Sequence, residues 1–157
     1  MTNKIEEIRQ ILTMIEGLDW VDNQAVADEI NARVWCADND LHIVDMGSTL
    51  GNTDYYCATN NHDHVESVPK TNYLTSLDAI KGLEREGFLF QSLNYHPIKK
   101  DFCAEYASVQ NTVDRGDGRF EIINPIYSKL LPTEHAARLY AVLLTWIYEE
   151  ERNNETK

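Results

Sequence analysis

A scattered set of basic and aromatic residues could together recognise a phosphate-bearing ligand. Lys99 and Lys100 are consecutive, and Arg115 and Arg119 flank a glycine-rich segment. Lysine and arginine bind phosphate oxygens, while a tyrosine ring can stack on a base. The sequence therefore predicts a compact nucleotide site made of Tyr73, Tyr95, Lys99, Lys100, Tyr106, Arg115 and Arg119. The alternative is two solvated hairpin turns together with tyrosines of the core.

Two histidines come closest to a metal site. His62 and His64 alternate in an extended segment and could supply two of the three or four ligands that zinc needs. A binuclear hydrolase would also need an Asp-His pair where the chain has Glu66-Ser67. A solvated polar loop is therefore the alternative. We expect no cofactor, and a metal-dependent hydrolase is our third hypothesis.

Motifs for nucleophilic or nucleotide-hydrolysing catalysis are absent from the sequence. It contains no G-x-S-x-G elbow, no Walker A loop and no G-x-G-x-x-G fingerprint. The three cysteines, Cys36, Cys57 and Cys103, are an odd number, which fits a reducing cytoplasm better than a disulfide framework. We therefore expect a cytoplasmic protein that binds rather than catalyses.

Charge is distributed unevenly along the 157 residues. The chain has 14 Lys and Arg against 26 Asp and Glu, a net charge of −12, and residues 1–66 hold three of the basic and thirteen of the acidic residues. This balance disfavours direct nucleic-acid binding and anionic membrane surfaces, which both require clustered basic side chains. It suits either a basic protein partner or simple solubility. The longest mostly apolar run, residues 139–148, is about half of what a membrane-spanning helix needs.

Helical and extended periodicities alternate along the chain. Apolar spacing predicts a helix over 4–18 and a second over about 23–37, capped by Asp22 or Asn23, which together form a hairpin. Short strands follow near 41–44 and 55–57, and the polar stretch 59–72 indicates a loop. Thr75 and Asp78 resemble a capping box for a helix that ends at Gly87 and faces Leu77, Ile80 and Leu83 inward. Further on we expect strands over 88–95, 102–109 and 120–123, then a helix from about 132–133 to 152.

The order of these elements predicts an α+β fold. Helices would pack on a small, mainly antiparallel sheet, preceded by the N-terminal helical hairpin. We expect one domain over residues 1–157, in which 1–66 form the acidic hairpin with short strands. Broad apolar helix faces and a small sheet also allow a homo-oligomer.

The second half of the chain contains a series of residues typical of a known domain family. Pro69, Tyr73, Ser76 and Asp78 lead into a helix, Gly87-Phe88 follows, and a Pro-led, Ala-rich helix closes the region with PTEHAARLYAVLLTWI. Residues 69–150 thereby resemble the phage α-β-α sandwich domain, with extra residues between Pro69 and Tyr73. The resemblance implies a phage origin and a sandwich fold, and it brings no established catalytic residues.

Two functional hypotheses follow from these features. In the first, a phage-encoded counter-defence protein sequesters a small anionic host nucleotide, such as a cyclic oligonucleotide or an ADP-ribose derivative, without turnover. In the second, the acidic half covers a basic, nucleic-acid-binding surface of a host defence protein. Both would act in the cytoplasm of an infected bacterial host.

Overall fold

The computed structural model describes residues 3–18, 24–49, 52–59, 61 and 64–155. The chain divides into two compact units, Met1–Thr75 (the N-terminal unit) and Ser76–Lys157 (the C-terminal unit). Helices and antiparallel sheets make up both, which confirms the α+β fold class. No helix among the described residues is long and apolar enough to cross a lipid bilayer.

The N-terminal unit begins with two helices. Helix α1 spans Lys4–Glu16 and α2 spans Gln24–Asp38. The side chain of Asn3 caps α1 by accepting the backbone N–H of Ile5 at 2.9 Å, as expected for a free donor at a helix start. The predicted helical pair is confirmed, while the predicted caps Asp22 and Asn23 lie outside the described residues.

A three-stranded antiparallel sheet completes this unit. Its strands are β1 (His42–Thr49), β2 (Asn52–Ala58) and β3 (Val65–Ser67), in the order β1-β2-β3. The prediction of a continuous loop over 59–72 is wrong at β3, which pairs with the end of β2. All three residues of β3 are exposed. Its sequence therefore does not alternate between buried apolar and exposed polar residues, and no sequence pattern predicts the strand. It is recognised by its backbone hydrogen bonds to β2.

The C-terminal unit contains helix α3 (Leu77–Lys81), five strands and the long helix α4 (Glu134–Glu155). The strands are β4 (Phe88–His96), β5 (Asp101–Ser108), β6 (Thr112–Gly116), β7 (Arg119–Ile122) and β8 (Ile126–Tyr127). One sheet has the order β4-β5-β8, and β6-β7 form a separate hairpin. The predicted strands correspond to β4, β5 and β7, whereas β6 and β8 were not predicted.

Helix α3 is much shorter than the sequence predicts. Ser76, not Thr75, caps it by accepting the backbone N–H of Ala79 at 3.2 Å, and the helix ends at Gly82 rather than Gly87. Leu77 is 37% exposed instead of facing inward. The capping-box interpretation is therefore wrong by one residue, whereas Ile80 and Leu83 are buried as predicted. Gly82 adds the high entropic cost of a glycine in a helix, which favours termination there.

Helix α4 forms most of the core of the C-terminal unit. Thr133 caps it by accepting the backbone N–H of Ala136 at 3.1 Å, and its buried face packs on β5. The indole N–H of Trp146 donates to the carbonyl of Leu83 at 3.0 Å. This bond fixes the turn after α3 against the helix. The predicted start and broad apolar face of this helix are confirmed.

Candidate functional site

A cleft of about 220 Å³ in the N-terminal unit is the candidate site. Its walls are α2, with Asp28 and Asn31, and β2, with Thr53 and Tyr55; residues 68–72 close the third side. We call it the Asp28 cleft. Pockets for drug-sized molecules are about 300–1,000 Å³. The cleft is therefore of a size for one side chain or a small head group rather than a whole nucleotide.

Asn31 holds the base of the Asp28 cleft. Its side chain is only 7% exposed; the amide oxygen accepts the backbone N–H of Tyr73 at 3.0 Å, and the amide nitrogen donates to the side chain of Asn72 at 3.3 Å. One side chain thus ties α2 to a segment 41 residues further along the chain. Buried polar groups need such partners, so this contact stabilises the position of the wall.

The opposite wall is held by bonds between residues 68–70 and β2. The backbone N–H of Val68 donates to the carbonyl of Tyr55 at 2.8 Å. The ammonium of Lys70 donates to the carbonyl of Thr53 at 3.0 Å and lies 3.7 Å from the carboxylate of Asp54. The positive charge of Lys70 therefore has an acidic neighbour, and the segment is fixed along the strand.

Asp28 and Lys70 are the two charged residues that line the Asp28 cleft, and Lys70 is the one paired with an acidic neighbour, Asp54. The carboxylate of Asp28 accepts a hydrogen bond at 2.8 Å from the neutral amide of Gln24, and no cation of the described residues lies within ion-pair distance of it. The neighbouring Glu29 pairs with Arg33 at 3.3 Å. Burial raises the pKa of the Tyr55 phenol, with Glu29 and Asp28 acting in the same direction. Because Lys70 is paired with Asp54 and Arg33 with Glu29, the carboxylate of Asp28 beside a neutral phenol is the charge that favours a positively charged ligand.

A second cavity of about 210 Å³ lies between α1, α2 and β1 in the same unit. Glu7, Arg33, Cys36 and His42 are among its lining residues. Burial, followed by the neighbouring thiol of Cys57, raises the pKa of the Cys36 thiol to about 12. A thiol with that pKa stays protonated near neutral pH and is a poor nucleophile. This cavity therefore offers no activated cysteine.

Tyr95, Lys99 and Lys100 come together at one end of the β4-β5 hairpin. Tyr95 is 52% exposed, and its ring centroid lies 5.0 Å from that of Phe102 on the paired strand. Both lysines are exposed in the connecting turn, where Lys100 adopts a φ of +57°. An accessible ring and two ammonium groups therefore share this end of the sheet.

Tyr106 and Tyr73 are core residues of their respective units. Tyr106 is 1% exposed; its hydroxyl donates to Glu84 at 2.7 Å and accepts from the Nε of Arg138 at 3.2 Å. Burial, and then the bond to Glu84, raises the pKa of this phenol well above its usual range. Tyr73 is 4% exposed, and burial raises its pKa to about 12. Both rings pack inside the protein.

Arg115 and Arg119 lie on the separate β6-β7 hairpin. The Nε of Arg115 donates to the carboxylate of Glu121 across the hairpin at 2.6 Å, and Arg119 is exposed beside the turn. This hairpin follows the end of β5, whereas the turn with the two lysines precedes its start. Eight residues of strand span about 25 Å. The structure thus places the two predicted basic pairs at connections leaving opposite ends of β5.

One face of the β4-β5-β8 sheet carries polar groups that resemble a catalytic set. Asn94 is paired with Cys103, and His96 with Asp101. The Nδ1 atom of His96 accepts the backbone N–H of Lys99 at 3.2 Å, while the Cys103 thiol donates to the carbonyl of Ser128 at 3.3 Å. The imidazole and the thiol are thus each bonded to a backbone group, and no hydrogen bond among the described residues joins them. The set therefore lacks the contact between base and nucleophile.

The predicted metal ligands are only partly described. His62 lies outside the described residues, and His64 is exposed. Within the described ranges, no group of three or more His, Cys, Asp or Glu side chains is arranged to hold a metal ion.

The residues of the Asp28 cleft were not singled out by the sequence. Asp28 and Asn31 are three positions apart on α2 and therefore share one helix face. A polar pair beside the inward-facing Ile30 and Val34 was the available signal. Nothing local indicates that Asn72 meets this face, because residues 68–72 have no regular periodicity.

Comparisons with known proteins identify no related protein. A scan against models of protein families, a search of curated proteins and a search of solved structures each find no match. The proposed function therefore rests on the fold, the charge of the N-terminal unit and the Asp28 cleft.

Proposed function

We propose that this protein is a binding protein whose acidic N-terminal unit covers the basic, nucleic-acid-binding surface of another protein. The observation that carries the proposal is the Asp28 cleft, which lies in a unit with thirteen acidic and four basic residues. Complementary charge accelerates association and selects against acidic partners. The C-terminal unit, with thirteen acidic and ten basic residues, has no comparable imbalance.

Five acidic side chains in the described part of the N-terminal unit are exposed, and one of them, Asp40, pairs with Lys4 at 2.7 Å. The carboxylates exposed on the described part of the N-terminal unit are Glu6, Glu16, Asp40, Asp45 and Glu66. Exposed charges attract a partner over roughly 8–10 Å at physiological salt, so several together act as one field. This field would displace nucleic acid by occupying the same basic groups.

The test is a salt-dependent competition assay. Fluorescent polyarginine serves as the basic probe, and anisotropy follows its binding to the full-length protein at 50 and 300 mM salt. We expect the Kd to rise at least tenfold across this range. We also expect the protein to release a DNA oligonucleotide from polyarginine. Absence of binding at 50 mM salt, or a Kd unchanged by salt, would overturn the proposal.

A second candidate function is sequestration of a small anionic nucleotide without turnover. The observation that favours it is the exposed ring of Tyr95 beside the exposed Lys99 and Lys100. Thermal denaturation against a panel of signalling nucleotides tests it, since ligand at about 100 times its Kd adds roughly 2.7 kcal/mol. The double variant Lys99→Glu/Lys100→Glu should lose any stabilisation, whereas Arg115→Glu, distant along the chain, should retain it.

The resemblance of residues 69–150 to the phage α-β-α sandwich domain suggests where such a protein would act. We propose a phage-encoded inhibitor in the cytoplasm of an infected bacterium, with a host defence protein as the basic partner. Expression of the chain in a bacterial host, with affinity capture from that host, tests this setting. Recovery of a nucleic-acid-binding defence protein would support it, and recovery of none would count against it.

A further inference from the structure

We infer that the Asp28 cleft holds a single arginine side chain of the basic partner, an inference that rests on the proposed function. Interfaces commonly depend on a few anchoring residues that fill pockets, and arginine is frequent among them. The cleft would then provide specificity, while the surrounding acidic surface provides long-range attraction.

The charge and shape of the lining favour a guanidinium group. Of the two charged residues in the lining, Lys70 is paired with Asp54, whereas the carboxylate of Asp28 has no cation of the described residues within ion-pair distance. A guanidinium can donate two parallel hydrogen bonds to such a carboxylate. Tyr55 on β2 is one of the lining residues and is 9% exposed. Planar guanidinium groups stack on aromatic rings and are more weakly hydrated than ammonium groups. Arginine therefore matches this lining better than lysine.

The cleft is already formed in the free protein. Asn31 is bonded to the backbone of Tyr73, and Val68 to the backbone of Tyr55. Lys70 adds a bond to β2 on the same side. Because these contacts fix both walls, binding would order only the incoming side chain. A preformed site loses little conformational entropy on binding, so less of the favourable contact energy is offset and the affinity is higher.

The size of the cleft selects one side chain. At about 220 Å³ it is below the range for drug-sized ligands. A free arginine derivative should therefore bind by itself, although weakly, and a nucleotide should not compete with it. This property allows the anchor to be tested apart from the whole interface.

The experiment titrates N-acetyl-arginine amide into the full-length protein and follows backbone amide signals by NMR. The neutral isostere N-acetyl-citrulline amide and the lysine derivative are measured in parallel. We expect saturable shifts centred on residues 28–32 and 68–72 with arginine, and at least tenfold weaker binding with citrulline and with lysine. Equal binding of lysine or citrulline, or saturation at other residues, would overturn the inference.

Two matched variants locate the contact. Asp28→Asn removes the carboxylate charge but keeps an oxygen acceptor, and we expect it to weaken arginine binding at least tenfold. Asp78→Asn removes the same charge from an exposed position on α3, in the C-terminal unit and outside the cleft, and we expect no change. Far-UV circular dichroism checks that both variants are folded. Equal affinities of the two variants would contradict the assignment.

Polyarginine binding separates this inference from the proposed function. If the wild-type protein binds polyarginine but gives no saturable shift with the arginine derivative, the anchor is wrong and the proposed function stands. If polyarginine does not bind at low salt, the proposed function itself fails.

Discussion

The guanidinium of Arg138 on α4 lies 2.9 Å from the carboxylate of Glu84, which follows α3, and the two side chains are 12% and 26% exposed. Tyr106 on β5 bonds to both groups, and the Arg138 guanidinium carbon lies 4.0 Å from the ring centroid of Phe90 on β4. Four segments of the C-terminal unit therefore meet at one charged pair. Removing one partner of a largely buried ion pair leaves the other charge without a counter-ion, which lowers the free energy of unfolding.

Glu84→Gln should destabilise the protein by about 2 kcal/mol, because it leaves Arg138 partly buried without its counter-ion. Urea denaturation followed by circular dichroism measures the change. Glu86→Gln is the matched control, since Glu86 is exposed and two residues away; we expect a change within about 0.5 kcal/mol. Equal stability of the two variants would show that the pair contributes nothing specific.

Asn31→Ala should lower the free energy of unfolding by about 1–3 kcal/mol, because the buried N–H of Tyr73 loses its acceptor. Asn31→Asp keeps an oxygen at that position and should recover part of the loss. The exposed Asn94→Ala serves as the control. A loss no greater than that of Asn94→Ala would mean that the Asn31 contact does not stabilise the cleft.

Stability should fall in alkali through Tyr73. Its pKa is raised from 10.0 to about 12 in the folded protein, so the stabilisation is fully present below pH 10 and is lost as pH rises through 12. At pH 11 the loss from this group is about 1.4 kcal/mol. Urea denaturation at pH 8 and 11 measures it. Tyr73→Phe should show a smaller pH dependence, and an identical dependence would exclude this residue as the source.

The cysteines should differ sharply in reactivity. Cys36 and Cys57 are buried with raised pKa values, whereas Cys103 is partly exposed. Iodoacetamide at pH 7.5 should therefore modify Cys103 at least tenfold faster than the other two in the folded protein. Peptide mass spectrometry identifies the modified residue, and all three should react in guanidinium chloride. Rapid native modification of Cys36 would contradict its burial.

Periodicity alone was enough to place most regular elements. The apolar spacing of α1, α2 and α4, and the extended character of β4 and β5, follow from residues close in sequence, because each element presents a continuous apolar face. The predictions were wrong where the sequence has no pattern for an element, or where two neighbouring residues fit the same role. The exposed strand β3 has no apolar alternation, and Thr75 and Ser76 are both good helix caps, so only the surrounding contacts distinguish between them.

The charge asymmetry, the α+β class and the main helices could be predicted from the amino-acid sequence, since each depends on composition or on neighbours within a few residues. The contacts of Asn31 with Asn72 and Tyr73, and the burial of Tyr106 against Glu84 and Arg138, became known from the folded chain. These contacts join residues 22–42 positions apart. They arise from packing between elements, which no local pattern specifies, and for that reason the candidate site emerged from the fold rather than from a motif.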